Sequence, residues 1–186
     1  ASNGADVSFE APTKDWSSRQ SRPTINVFLY DIREDLSRRD TAAQPVRNAD
    51  GIIVDRRPPF RRFKLSYLLT AWTQRPEDEH RLLSVLLSRF LQYSVIPESF
   101  LQGSLVDSGV PVVLDLALPP TPDRSLSDIW SALGGELKPS LDLAVIAPFD
   151  PGRSIETGPP LREEPILGTR PIGTDGEPTG PVHQPR

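Results

Sequence analysis

The sequence predicts an α+β fold: a mixed, mainly antiparallel β-sheet packed with two main helices and followed by a Pro/Gly-rich C-terminal tail. Three features carry that reading. Between Arg61 and Tyr93 the apolar pattern changes period midway, from every second residue to every third and fourth. Alternation by two returns over Val110, Val112, Leu114, Leu116 and Leu118. From Pro148 onward no period survives, and the final 39 residues hold nine prolines and six glycines. Alternation marks a strand with one buried face, and recurrence by three and four marks an amphipathic helix. Dense Pro and Gly punctuation marks neither.

The elements follow in order. Residues 1–22 are polar, with a short apolar patch at Val7 and Phe9 that fits an edge strand. Thr24 to Ile32 is rich in β-branched and aromatic residues and apolar on both faces, which points to a central strand covered on each side. Residues 33–50, charged and poor in apolar residues, read as a surface loop. Gly51 to Asp55 reads as a short strand, cut off by Pro58-Pro59, so that 51–73 forms a hairpin with a proline-stiffened loop. Phe63, Leu65, Tyr67, Leu69 and Ala71 then line one face of a strand.

Pro76 suits the first turn of a helix, where its missing N–H costs little. Glu77, Asp78 and Glu79 place negative charge at the positive end of the helix dipole. Leu82, Leu83, Leu86, Leu87, Phe90 and Leu91 supply the apolar stripe. Residues 94–109 read as a connection with a helical turn near Glu98 to Leu101. After the 110–118 strand, ended by Pro119-Pro120, Ser125 is a candidate N-cap of a second helix reaching Leu133. Its face is Leu126, Ile129, Trp130 and Leu133, and Gly134-Gly135 stops it. Leu141 to Ala147 reads as the last strand. One domain over 1–147 and an extended or disordered tail over 148–186 are expected.

Composition removes several classes of function. Without cysteine there are no disulfides, thiolate metal sites or cysteine nucleophiles. A formal charge of −4 gives no general case for nucleic acid or an anionic membrane. No apolar run approaches the roughly 20 residues of a membrane helix. The chain begins at Ala1 and contains no methionine, so a processed or trimmed start is expected. Of two histidines, His183 lies in the tail. His80 follows the acidic run, and Glu77 with His80 would form a two-residue metal face, but no further His or Cys stands nearby to complete it. A solvated helix start is the simpler reading. Phosphate loops, dinucleotide loops and a G-x-S-x-G elbow are absent. The carboxylate pairs Asp31/Asp115 and Asp55/Asp142 become acid–base candidates only if the fold brings them together. No enzyme, no cofactor and no metal are expected.

Contact residues are the remaining candidates. Arg56, Arg57, Arg61, Arg62 and Lys64 put five cations in nine residues without an acid between them. With only Phe60 and Phe63 interleaved, this fits a solvated hairpin tip or an acidic protein partner better than nucleic acid. Trp72 and Trp130 read as core or interface anchors. Trp16, in a polar segment, reads as an exposed interface residue. In the tail, Ile155, Leu161, Ile166, Leu167 and Ile172 are isolated apolar residues suited to docking on a neighbour in extended form.

Four blocks, taken in order, carry a family resemblance: VSFEAPTKDW (7–16), PTINVFLYDIREDL (23–36), RRFKLSYLLTAWTQRPEDEHRLLSVLL (61–87) and LSDIWSALGGELKPSLDLAV (126–145). Together they resemble the N-terminal domain of cap, or tail-terminator, proteins of phage-tail-like contractile injection systems, of the antifeeding-prophage and virulence-cassette type. The resemblance covers residues 7–147 and implies a tail-terminator-like fold and a structural role. That role is a homo-oligomeric ring, usually a hexamer, on the last layer of inner tube and sheath, which ends polymerisation and couples tube to sheath. The implied partners are copies of itself and the inner tube and sheath proteins, with no nucleic acid and no membrane insertion. The implied place is the bacterial cytoplasm, in a particle that is then released or membrane-associated. Family members typically carry a helix before the VSFEAP segment, and this chain starts too late to show one. On this reading, charge reversal at Arg61 and Arg62 weakens assembly more than monomer stability. The alternative is a soluble adaptor whose Pro-rich tail binds a partner protein, with PILGTRPIG (165–173) the nearest approach to a proline-rich motif.

Overall fold

The computed structural model describes residues 4–119 and 125–152, and the backbone of residues 155–156. Five strands make the main sheet, in the spatial order β1 (Asp6–Ser8), β2 (Thr24–Glu34), β5 (Arg61–Trp72), β7 (Ser140–Phe149) and β6 (Val113–Leu116). Only β1 runs parallel to its neighbour; the other pairs are antiparallel. A second sheet holds β3 (Gln44–Arg47), β4 (Ile53–Arg57) and β8 (Ile155–Glu156). The helices are α1 (Lys14–Ser18), α2 (Pro76–Phe90), α3 (Ser104–Asp107) and α4 (Leu126–Ala132). The fold is therefore α+β with a mostly antiparallel sheet, and α2 and α4 are the two expected helices.

β5 is the spine of the molecule. It pairs with β2 from Thr24 opposite Trp72 to Glu34 opposite Phe63, and with β7 from Arg61 opposite Phe149 to Thr70 opposite Ser140. The alternating pattern marks one buried face, yet Leu68 and Leu69 on successive positions are both fully buried, as are Ser66 and Thr70. Each such leucine contributes about 1.5–3 kcal/mol from the apolar surface it removes from water. α2 lies against β5 and β7 with Leu83 buried. Its start follows the sequence: Pro76 takes the first turn and three acids follow it. No side chain of Arg75 caps it. Instead Glu79 Oε1 reaches back to accept the Thr73 N–H at 3.2 Å.

Several expectations are corrected. Residues 33–50 are not one loop: β2 extends to Glu34, a 3₁₀ turn covers Leu36–Arg38, and β3 follows. β3 and β4 form the hairpin, and Asn48 builds its turn by accepting the Asp50 and Ile52 N–H groups on Oδ1 at 3.0 and 2.9 Å. Gly51 stands there at φ +79°, a conformation that suits a residue without Cβ. The expected 51–73 hairpin does not form, because both edges of β5 are already taken by β2 and β7, leaving β4 no edge to join. β2 is an inner strand, between β1 and β5, as expected, but its far half is not covered on both faces, since Ile32 is exposed. The 110–118 strand shrinks to Val113–Leu116, since Pro111 lacks an N–H and Ala117 turns the chain at φ +50°. Ser125 precedes α4 but makes no capping bond; its hydroxyl meets that of Ser127. β7 runs on through Pro148 to Phe149, and β8 pairs with β4.

Candidate assembly surfaces

Among the described residues, the paired carboxylates named as acid–base candidates lie on different strands. Asp31 on β2 and Asp115 on β6 stand three strand spacings apart, roughly 14 Å. Asp55 belongs to the small sheet. Asp142 belongs to the main sheet, where it accepts the Tyr30 hydroxyl at 2.7 Å. His80 is exposed on α2, and Glu77 faces Arg75 at 3.7 Å. No group of three or more metal-ligating side chains comes together among the described residues. No described helix is long and apolar enough to cross a membrane.

Trp16 is not the exposed contact residue its polar neighbours imply: only 3% of it is accessible. Thr13 Oγ1 caps α1 by accepting the Trp16 N–H at 3.2 Å. Asn26, fully buried on β2, holds the preceding segment by donating from Nδ2 to the Glu10 carbonyl at 2.8 Å. So fixed, the Trp16 indole packs edge-on against Trp72 with centroids 5.4 Å apart, and Trp72 meets Trp130 at 6.4 Å. The three tryptophans, far apart in sequence, close one end of the sheet. Lys138 Nζ lies 4.1 Å from the Trp72 ring centroid and 2.6 Å from Glu79 Oε1, tying α2 to the segment before β7.

The basic cluster divides in two. Arg61, at the start of β5, donates from Nε to Glu34 Oε1 at 2.8 Å and from its Nη2 to Oε2. Its guanidinium also lies 5.8 Å from the Phe63 ring centroid. The hydrogen bond from Arg61 holds the Glu34 carboxyl below its ordinary range, and the same bond raises Arg61. Arg62 is half-buried opposite Pro148. Arg56 and Arg57 are exposed on β4 and form no ion pair among the described residues. The backbone of Ile155 lies opposite Arg56 in β8. Leu161, Ile166, Leu167 and Ile172 lie outside the described residues.

One surface was not foreseen from the sequence. Between the end of α2 and strands β6 and β7 runs a groove of about 310 Å³, lined by Phe90, Tyr93, Ile96, Phe100, Leu143 and Val145. Past Phe100 and Val145 it continues into a second hollow of about 620 Å³ that reaches Phe60, Leu65 and Phe149. Tyr93, Phe100 and Phe149 in these linings stay exposed, Phe100 at 73%. Residues 94–109 lack a period and so read as a connection. Their signal was the density of apolar side chains in a stretch without a single Lys or Arg.

Among the described residues, an exposed apolar surface and a basic hairpin flank a mostly antiparallel sheet, the kind of exposed apolar patch that marks a contact site. The chain belongs to the family described as the Pvc16 N-terminal domain, whose model matches residues 1–164. Among solved structures, it is similar to the PVC sheath/tube terminator of an extracellular contractile injection system in its extended state. The TM-score is 0.62 at 22% identity, over 91% of this chain and 58% of that one. It is also similar to the anti-feeding prophage cap, the AFP tube terminating cap, with a TM-score of 0.57 at 23% identity over 90% of this chain and 56% of the other. The chain therefore spans less than three-fifths of either structure. No curated protein sequence matches it. The tail-terminator-like fold implied by the four sequence blocks is the fold found.

Proposed function

We propose that this chain acts as a structural cap of a contractile injection particle, binding the distal end of the inner tube and sheath and ending their growth. The observation that carries the reading is the family match over residues 1–164. The fold shared with a sheath/tube terminator and a tube terminating cap supports it. The mechanism is steric: the cap occupies the growing end and presents a surface to which no further tube or sheath subunit adds. Copies of the chain form a closed ring, six in number, which couples tube to sheath. The particle is assembled in the bacterial cytoplasm and the cap travels with it. In such a ring each subunit needs two different complementary patches. Electron microscopy of sheath–tube particles from cells with and without the gene tests the proposal. Overlong, ragged or missing particles in the deletion are expected. Particles of unchanged, uniform length would refute it.

A further inference from the structure

Resting on that reading, we propose that the β3–β4 arm of one subunit seats on the apolar, acid-bearing surface of residues 90–112 of the next. The arm is exposed along both strands; of its nine strand residues, only Ile53 and Asp55 are half-buried. Val46, Ile52 and Val54 lie open on it. A two-stranded hairpin is marginal in water on its own, and β8 adds only a two-residue pairing. Its own main sheet offers no edge beside β5. No described residue covers Val46, Ile52 and Val54; on this proposal another molecule does, and the charges indicate which surface.

Residues 38–64 hold eight cations and three acids, whereas residues 90–119 hold three acids and no cation. Arg56 and Arg57 on the arm form no ion pairs among the described residues, nor do Glu98, next to the groove-lining Pro97, and Asp107, next to Ser108 of the second hollow. A basic strand with exposed valines thus matches an apolar groove bordered by acids, on a different part of the same chain. Apolar burial would supply affinity and the charges would set orientation. The contact is heterologous, the kind that closes a ring.

The absence of cysteine gives a clean test. Particles carrying Val54→Cys together with Phe100→Cys are treated with a short bis-maleimide and run on a denaturing gel. A ladder of covalent oligomers in the double variant, absent from each single variant, is expected. The double reversal Arg56→Glu with Arg57→Glu should cut the ladder roughly tenfold or more, with recovery when Glu98→Lys and Asp107→Lys are added. A cross-link confined within one chain would show the arm folding onto its own groove and overturn the proposal. No ladder, while glutaraldehyde still joins parent subunits into oligomers, would also overturn it and leave the ring intact. If glutaraldehyde also yields no oligomers, the ring itself fails and the docking fails with it.

Discussion

At one end of β5, Trp72 is clasped by Trp16 and Trp130; at the other, Arg61 leads back to an arm whose strands stay open to solvent. Both ends combine apolar and charged side chains, but they bury them to different degrees. Aromatic rings and a Lys–Glu pair are enclosed at the first, while valines and arginines are displayed at the second. The first end is held by packed, buried rings, and the second leaves apolar side chains and two arginines open to solvent. Arg61 marks the boundary: it belongs to the basic run by sequence, but Glu34 holds it to the main sheet.

Substitutions should separate the two ends. The largest effect on folding is expected for Trp130→Ala, which empties a site only 1% exposed: about 3–5 kcal/mol by chemical denaturation. A loss below about 1 kcal/mol would show that the tryptophan end does not anchor the fold. Lys138→Met removes the ammonium beside Glu79 and over Trp72, and should cost about 1–3 kcal/mol in the same assay. On the arm, Val54→Asp should change monomer stability by less than about 0.5 kcal/mol while abolishing incorporation into particles. Equal loss of folding and incorporation would erase the contrast.

The smallest effect is the acid sensitivity of the boundary pair. Glu34 titrates below its ordinary value of 4.5 in the folded chain, chiefly because Arg61 donates to its ionised form. Its contribution is therefore present at neutral pH and is lost as pH falls below 4.5 through the lowered value. Arg61→Gln should flatten that part of the stability-versus-pH curve; an unchanged curve would show that the pair does not stabilise the fold. Reversal at Arg61 would place two carboxylates together, so it disturbs folding as well as assembly. Arg56 and Arg57 are the cleaner sites.

The main sheet and its helices were legible because β5 and α2 carry apolar periods, α4 one apolar face, and β7 a short apolar run. The β3–β4 hairpin was hidden by its own exposure. Gln44, Pro45, Val46 and Arg47 bury nothing, so no alternation records the strand, and only the Asn48 to Gly51 turn announced it. Trp16 was misplaced for a related reason. Its partner Trp72 lies 56 residues away, and nothing local to Lys14–Ser18 shows a long-range ring contact. The apolar surface over 90–112 was missed because its side chains gather from loop, helix end and strands, which share no common period.

Labelling of intact particles tests the cap assignment most directly: an antibody to this chain, coupled to gold and viewed by electron microscopy. A single cluster of label at the end of each particle distal to its baseplate is expected. Label spread along the sheath, or absent from particles, would contradict the assignment.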